Sequence, residues 1–162
     1  NFIPAVEKGV MEQMATGGVY GFPVVDVKVE CYDGKYHPVD SSEMAFRTAA
    51  SMGLKEAMAK AGPVVLEPIS LVTVVVPQEL QGDIMGDLSS RRGRIAGTSS
   101  LDGGLSEIQA MVPEAEISRY VMDLRSLTGG RGTFTAEFDH YDVLPSHLVE
   151  KVAAEAKAAK EG

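Results

Sequence analysis

The sequence lacks tryptophan, has a single cysteine and contains no apolar run long enough to span a bilayer. One cysteine excludes an internal disulfide framework, which fits a reducing cytoplasm. The sequence also lacks a basic segment followed by an apolar one, which is the pattern of a secretory signal. The first residue is Asn1 rather than methionine, so we expect the chain to be part of a longer protein. Together these absences predict a cytoplasmic location and no membrane partner.

Basic residues are scarce as well, because 15 lysines and arginines stand against 23 aspartates and glutamates, for a net charge of −8. Such a balance argues against a broadly basic surface for nucleic acid. Between Glu67 and Asp142, however, there is no lysine, and all six of these basic residues are arginines. The planar guanidinium of arginine is well suited to bind phosphates and bases. Composition alone favours another role for them, namely ion pairs with neighbouring carboxylates. The arginines concerned are Arg91, Arg92, Arg94, Arg119, Arg125 and Arg131.

Catalytic motifs are also missing. The sequence has no G-x-x-x-x-G-K-[ST] phosphate loop, and its glycine-rich TGGRG stretch at 128–132 follows a predicted helix instead of preceding one. The three histidines lack the spacing of metal ligands. His37 is close in sequence to Ser41 and Ser42, which leaves a small hydrolase as an alternative, although serines before a helix are typical caps. We therefore expect no catalytic site, metal or cofactor in this chain.

The N-terminal part of the chain predicts a helix followed by a strand. Apolar residues at helical spacing run from Ile3 to Met14, and several glycines then break the pattern. In the VVDVKVEC stretch at 24–31, valines alternate with charged residues, which predicts a strand with one buried face. Cys31 falls on the apolar side of that strand, so we expect a buried thiol.

A second helix is predicted after this strand. Its apolar stripe runs from Phe46 to Ala61. Asp40 and Glu43 have the spacing of a capping box at its start. Gly62, followed by proline, is expected to end it.

An internal repeat organises the remaining chain. The stretch VPQELQGDIMGDLSSRRGRI begins at Val76, and VPEAEISRYVMDLRSLTGGRGTF begins at Val112. Each copy predicts a strand, a helix that begins after proline, a turn containing glycine and another strand. Two such halves in tandem make the βαββαβ motif of ferredoxin-like folds. Six residues are expected to line the core side of the two helices: Leu80, Ile84, Leu88, Ile117, Val121 and Leu124.

The predicted fold class is α+β, with two small α/β-sandwich domains. The first domain covers residues 1–66, and the second, with the ferredoxin-like βαββαβ order, covers residues 67–145. Residues 146–162 are expected to form an alanine-rich helical tail with Ser146 as its N-cap. Nothing in the sequence suggests more than a monomer.

Three stretches carry a resemblance to the C-terminal region of bacterial elongation factor G, a family of ribosomal translocases. YHPVDSSEMAF resembles part of its fourth domain, whereas GDLSSRRG and DLRSLTGGRG resemble parts of its fifth. The resemblance covers nearly the whole chain. It implies that the first domain is an N-terminally truncated domain four with a ribosomal-protein-like β-α-β fold. It also implies that the GTPase domain, with its GTP and Mg²⁺, lies outside this chain.

The resemblance implies a ribosome-binding role during translocation. Domain four of the family enters the decoding centre of the small subunit, where it meets tRNA and mRNA. Domain five lies near the factor-binding rRNA of the large subunit and a stalk-base protein. Three arginines beside glycine turns, Arg91, Arg92 and Arg131, are the candidates for rRNA contact. The loop matched to the decoding-centre tip consists of Asp33, Gly34, Lys35, Tyr36, His37 and Pro38.

The second domain also departs from the family pattern. TSSLDGGLS stands where several members have a charged hairpin, and EISRY replaces a commoner Phe-Gly-Tyr segment. Glu107 and Gln109 stand where translocases often have an apolar residue and an arginine. These departures favour an alternative function: an elongation-factor-G-like paralogue that acts in recycling, ribosome protection or another ribosomal role without translocation. The tip motif is kept, so contact with the decoding centre is expected whether the protein is a translocase or such a paralogue.

Overall fold

The computed structural model describes every residue from Asn1 to Gly162. The chain divides into two compact units, of which one is Leu66–Val143 and the other joins 1–65 to 144–162. None of the helices combines the length and apolar character needed to cross a membrane. Mixed helices and strands confirm the predicted α+β class. The elements are α1 (Ile3–Thr16), α2 (Glu43–Ala61), β1 (Leu66–Pro77), α3 (Gln81–Ser90), β2 (Arg94–Leu101), β3 (Leu105–Pro113), α4 (Tyr120–Thr128), β4 (Thr133–Val143) and α5 (Ser146–Glu161).

One four-stranded sheet forms the unit from Leu66 to Val143. Its strand order is β2-β3-β1-β4, and every neighbouring pair is antiparallel. This order is the one that a βαββαβ chain adopts when both helices cover one face, so the ferredoxin-like prediction is confirmed. The hairpin between β2 and β3 turns at Asp102, Gly103 and Gly104. Both glycines have positive φ, a conformation that favours glycine because a Cβ would be strained there.

The two halves of the repeat have equivalent structures. In each half, Val-Pro ends a strand and leads into a single 3₁₀ turn before the helix. Ile84 and Tyr120 take the same place in the two helices, and both are fully buried. The prediction that Val121 faces the core is wrong, since it is 46% exposed. Helix α4 begins at Tyr120, so the core side follows the i, i+4 series from Tyr120 to Leu124.

Two glycines at equivalent places in the repeat let each helix end close to the following strand. A Cβ on Gly93 would lie 2.5 Å from the carbonyl oxygen of Leu88. A Cβ on Gly132 would lie 2.9 Å from Cγ2 of Thr128. Both distances are too short for real contacts, so the turn after each helix requires the absence of a side chain.

The other compact unit is built on the packing of α1 against α2. The helices cross with their backbones close together, because a Cβ on Gly9 would collide with the carbonyl oxygen of Arg47. Polar contacts continue along the same pair of helices. Arg47 Nε donates to a carboxylate oxygen of Glu12 at 2.8 Å, and Ser51 Oγ donates to Gln13 Oε1 at 2.7 Å. These contacts therefore join the two helices over about one turn of each.

The strand predicted at 24–31 does not form, and its predicted burial is also wrong. Residues 24–31 adopt no regular structure, and Val25, Val27 and Val29 are exposed. Cys31, expected to be buried, is exposed as well. A strand forms only where another strand takes up its backbone hydrogen bonds. The unit to which residues 24–31 belong contains helices and no second strand.

Two predicted helix caps differ from those in the structure. Ser42, rather than Asp40, is the N-cap of α2, and its Oγ accepts a hydrogen bond from the backbone N–H of Ala45 at 3.0 Å. In the tail, Pro145 occupies the N-cap position of α5 and Ser146 is the first helical residue. The predicted end of α2 is confirmed, because Gly62 has the left-handed conformation of a C-terminal cap.

The tail helix belongs to the same compact unit as residues 1–65. The backbone N–H of Leu144 donates to the carbonyl oxygen of Val65 at 2.8 Å. Near its other end, Lys160 Nζ donates to the carbonyl oxygen of Gly21 at 2.7 Å. The sequence predicted domain limits at residues 66 and 145, whereas the sheet unit begins at Leu66 and ends at Val143.

Candidate functional site

The loop that precedes α2 lies at the surface of its unit. All nine residues of 32–40 are exposed, and this range includes each member of the predicted tip. Residues 32–37 have no regular secondary structure, and a turn occupies 38–40. Asp33 Oδ1 accepts a hydrogen bond from the backbone N–H of Gly34 at 2.8 Å. The predicted exposure of His37 is thus confirmed, whereas its role stays a prediction.

The loop is joined to α2 by two hydrogen bonds between the same two residues. The backbone N–H of His37 donates to Ser41 Oγ at 2.8 Å, and the backbone N–H of Ser41 donates to the carbonyl oxygen of His37 at 2.9 Å. Ser42 then begins α2 as its N-cap. His37 is therefore the first residue of a closed turn, and it is followed by Pro38, whose ring fixes φ.

These contacts also bear on the hydrolase alternative. A serine nucleophile needs an imidazole within hydrogen-bonding distance of its hydroxyl. The Oγ atoms of Ser41 and Ser42 instead accept backbone N–H groups, as in ordinary caps. No group of three or more His, Cys, Asp or Glu side chains is placed to hold a metal ion. Neither serine hydroxyl is hydrogen-bonded to the imidazole of His37, so these contacts do not support the hydrolase alternative.

Three aromatic rings meet where the loop passes the helix pair, and sequence reasoning missed them. The ring of Phe2, which precedes α1, stacks on Phe46 of α2 with centroids 4.5 Å apart and 11° between the ring planes. The ring of Tyr36 lies 5.9 Å from that of Phe2 at 23°. We call these three residues the aromatic stack. No local pattern links Phe2 to the other two, so only their aromatic character could have hinted at the contact.

Arg91 lies inside a set of internal contacts. Its side chain is only 17% exposed and bonds the carboxylates of Asp87 and Asp123 at 3.0 and 2.6 Å. It also donates to the backbone carbonyl oxygen of Glu116 and stacks on the ring of Tyr120 at 5.0 Å. Burial lowers the pKa of Arg91, but hydrogen bonds to the two aspartates outweigh it and leave that pKa raised. These contacts use most of its donors.

Arg92 is held in a similar way. Its side chain is 28% exposed and forms a two-pronged ion pair with Glu67 at 2.7 and 2.9 Å. A longer bond reaches Glu116 at 3.4 Å. The hydrogen bond to Glu67 is the main cause of the raised pKa of Arg92. Its backbone has positive φ, which is uncommon for a residue with a side chain. The geometry of Arg92 therefore favours a structural role at the end of α3.

Arg131 is the candidate arginine most available to a partner. Its side chain is 57% exposed, and its ion pair with Glu79 spans 2.9 Å between two exposed groups. Its Nε also donates to the carbonyl oxygen of Thr128 at 3.2 Å. Exposed pairs of this kind contribute about 0–1 kcal/mol, so a phosphate could displace the carboxylate at little cost. The rRNA role of all three arginines stays a prediction.

The glycine-rich turn at 128–132 does not fit a nucleotide. It follows α4 and leads into β4, so it lies at the C-terminal end of a helix, where the helix dipole disfavours a phosphate. Gly129 and Gly130 have the positive φ of a helix C-cap and the turn after it. The backbone N–H of Gly130 already donates to the carbonyl oxygen of Arg125. This glycine-rich turn therefore does not have the geometry of a phosphate loop.

Comparison with known proteins assigns both parts of the chain to a single class, the C-terminal regions of a translation factor. The family described as "Elongation factor G, domain IV" matches residues 1–62, and the family described as "Elongation factor G C-terminus" matches residues 64–152. The chain therefore belongs to the elongation factor G family, of which it represents domain IV and the C-terminal domain.

Two similar proteins support this assignment. Elongation factor G of Aquifex pyrophilus is 52% identical over 159 residues, which cover 98% of this chain but 23% of that protein. A crystal structure of a protein from Thermus thermophilus has a TM-score of 0.81 and 46% identity, and the match covers 99% of this chain and 24% of that one. The chain thus spans about a quarter of the length of these relatives. The matched families include no GTPase domain.

Proposed function

We propose that this chain is the ribosome-binding C-terminal arm of an elongation-factor-G-type translocation GTPase. In this proposal the tip loop, Asp33–Pro38, enters the decoding centre of the small subunit, where it meets tRNA and mRNA. The observation that carries the proposal is the full exposure of this loop in a chain that belongs to the elongation factor G family. An exposed loop whose C-terminal end is held by a closed turn is suited to contact a partner in a confined site.

The chemistry of the tip fits RNA in a single-stranded or distorted form. Unpaired bases are recognised by stacking on aromatic or imidazole rings and by hydrogen bonds to their edges. Tyr36 and His37 offer both kinds of contact, and Lys35 offers a positive charge for a phosphate. The net charge of −8 keeps the remaining surface from binding RNA at many places. Contact would therefore be confined to a few defined positions.

Contacts with the large subunit are proposed for the sheet unit. There the candidate partners are the factor-binding rRNA and a stalk-base protein. Arg131 is the best supported contact, because its guanidinium is exposed and weakly paired. Arg91 and Arg92 would reach rRNA only through donors that their internal ion pairs leave free. We propose that the whole protein hydrolyses GTP with Mg²⁺ in an N-terminal domain and acts as a monomer in the cytoplasm.

The decisive variant is His37→Ala in a full-length elongation factor G that carries this chain. Loss of a single hydrogen bond or stacking contact worth about 1.4 kcal/mol in the transition state slows a step about tenfold. We expect single-turnover tRNA–mRNA translocation to slow by this order while ribosome-dependent GTP hydrolysis is retained. His147→Ala, at another exposed histidine of the same unit, is the matched control. Unchanged translocation in His37→Ala would exclude a role for the tip.

A second candidate is a paralogue that binds the ribosome without promoting translocation. Glu107 and Gln109 favour it, because they stand where translocases often have an apolar residue and an arginine. In β3 they alternate with the buried Ser106, Ile108 and Ala110, so they lie on the sheet face that the helices leave open. The full-length protein should then bind ribosomes and hydrolyse GTP but leave translocation at its uncatalysed rate. Translocation by the unaltered protein would exclude this candidate.

A further inference from the structure

We propose that the aromatic stack positions the tip loop, so that Phe2 and Phe46 are positioning residues for Tyr36 and His37. This inference rests on the proposed function for its biological meaning. Its structural part, that the stack orders the loop, is measurable on the chain alone. The stack joins the loop to residues far away in sequence, since Phe2 lies 34 positions before Tyr36.

The loop has few other attachments. Every hydrogen bond of residues 32–40 joins residues within four positions of each other. No ion pair involves this range. The ring contact from Phe2 to Tyr36 is therefore what ties the loop to α1. Because Tyr36 is 62% exposed, much of its ring surface stays accessible to a ligand while Phe2 supports it.

The position of Phe2 is itself fixed by α1. Its carbonyl oxygen accepts a hydrogen bond from the backbone N–H of Val6 at 3.1 Å, which makes it the N-cap residue of that helix. The close crossing at Gly9 and the Glu12–Arg47 ion pair hold α1 against α2. The crossing thus stacks the ring of Phe2 on that of Phe46, and the ring of Tyr36 also contacts Phe2.

The rings of the stack are not simply part of the core of this unit. The buried apolar residues of the helix pair are Ala5, Leu54 and Met58, whereas Phe2 and Phe46 are only half-buried. A half-buried aromatic pair that supports an exposed loop suits a positioning role. Aromatic pairs contribute about 0.5–1.5 kcal/mol beyond the burial of their area. Losing one contact should therefore open the loop about two- to tenfold more often.

The structural test is amide hydrogen exchange on the 162-residue chain with Phe2→Leu, which keeps an apolar side chain but removes the ring. The amides of His37 and Ser41, which close the turn, should exchange about two- to tenfold faster. Phe2→Tyr, which keeps the ring, should restore the original rate. The amide of Gly17, bonded to Gln13 at the other end of α1, reports whether the helix is intact and should not change.

Two further variants complete this test. Phe46→Leu attacks the stack from α2 and should accelerate exchange at the same two amides. Phe22→Leu, at another half-buried phenylalanine of this unit outside the stack, is the matched control and should not. Unchanged exchange at Ser41 in both stack variants would overturn the inference. Equal acceleration at Gly17 would also overturn it, because Phe2 would then act only by stabilising α1.

The functional test uses a full-length elongation factor G that carries this chain. Phe2→Leu should slow single-turnover translocation by the same factor of about two to ten, leave GTP hydrolysis unchanged and be rescued by Phe2→Tyr. If exchange accelerates while neither Phe2→Leu nor His37→Ala alters translocation, the stack stands and the proposed function fails. If His37→Ala slows translocation while Phe2→Leu alters neither exchange nor translocation, the stack fails and the proposed function stands.

Discussion

Replacing Tyr120 with phenylalanine should stabilise the sheet unit. Tyr120 is fully buried between the helices and the sheet, yet its hydroxyl has no hydrogen-bond partner. The ring itself is well placed, because it meets Phe134 edge to face at 5.1 Å and lies under the guanidinium of Arg91. Tyr120→Phe keeps both ring contacts and removes only the unpaired oxygen.

The size of the effect follows from the burial of a polar group. Leaving a buried hydroxyl without a partner costs about 1–3 kcal/mol. Part of that gain is lost to the small void left by the missing oxygen. We therefore expect Tyr120→Phe to raise the free energy of unfolding by about 1 kcal/mol. For a unit of this size, that corresponds to about 4–8 °C in melting temperature.

The same hydroxyl predicts a particular dependence on pH. Burial, and next the negative charge of Asp87, raise the pKa of Tyr120 to about 12, above its ordinary value near 10. Between these two values the unfolded chain has released the proton and the folded chain still holds it. The contribution of the Tyr120 hydroxyl to the free energy of unfolding is thus fully present below about pH 10. It falls by about 1.4 kcal/mol per pH unit as the pH rises to about 12. The advantage of Tyr120→Phe should widen over this window.

Urea unfolding of both chains at pH 7, 10 and 11.5, followed by circular dichroism, measures the difference. Because the two compact units can unfold separately, amide exchange at Ile108 in the central strand β3 identifies the transition of the sheet unit. A loss of about 1 kcal/mol or more at pH 7 would show that the hydroxyl has a partner. A difference that stays constant from pH 7 to 11.5 would show that the pKa of Tyr120 is not raised.

Two other predictions concern packing and rRNA contact. Gly9→Ala should destabilise the helix pair by about 1–3 kcal/mol in urea unfolding, because its Cβ meets the backbone of Arg47, whereas Gly53→Ala, which meets nothing, should stabilise α2 by about 0.5–1 kcal/mol. Equal changes in the free energy of unfolding for Gly9→Ala and Gly53→Ala would refute the close crossing of α1 and α2. Arg131→Ala should weaken ribosome binding and lower its salt slope by about 1 while unfolding changes by less than about 0.5 kcal/mol. An unaltered salt slope would leave Arg131 with only its pairing to Glu79.

The sequence predicted well where structure depends on local pattern. The repeat beginning at Val76 and Val112 gave both helices, all four strands and the ferredoxin-like order, because each element's period is contained in its own residues. The one error within it, Val121 for Tyr120, is a shift of a single position. A helix of nine residues such as α4 has too few turns for spacing alone to fix its core side.

Prediction failed where structure depends on residues far apart in the chain. The alternating valines at 24–31 are suited to a strand, but pairing requires a second strand that this unit does not contain. The aromatic stack escaped notice for the same reason, since Phe2 and Phe46 approach only after α1 crosses α2. The ion pairs of Arg92 with Glu67 likewise join distant segments. Composition favoured such pairs without being able to name the partners.

Because residues 25–31 pair with no other strand, the backbone of the tip loop is held by hydrogen bonds mainly on its C-terminal side. On its C-terminal side, the Ser41 turn and the cap of α2 fix the backbone, whereas on its N-terminal side residues 25–31 are exposed and have no regular structure. Fixing the backbone of one residue costs about 1–2 kcal/mol in entropy, so a strand that pairs there must offset several such terms. A segment that paired with this stretch would order the backbone that leads into the tip loop and thereby affect His37. Its arrival would narrow the range of directions in which the loop points, without touching the loop itself.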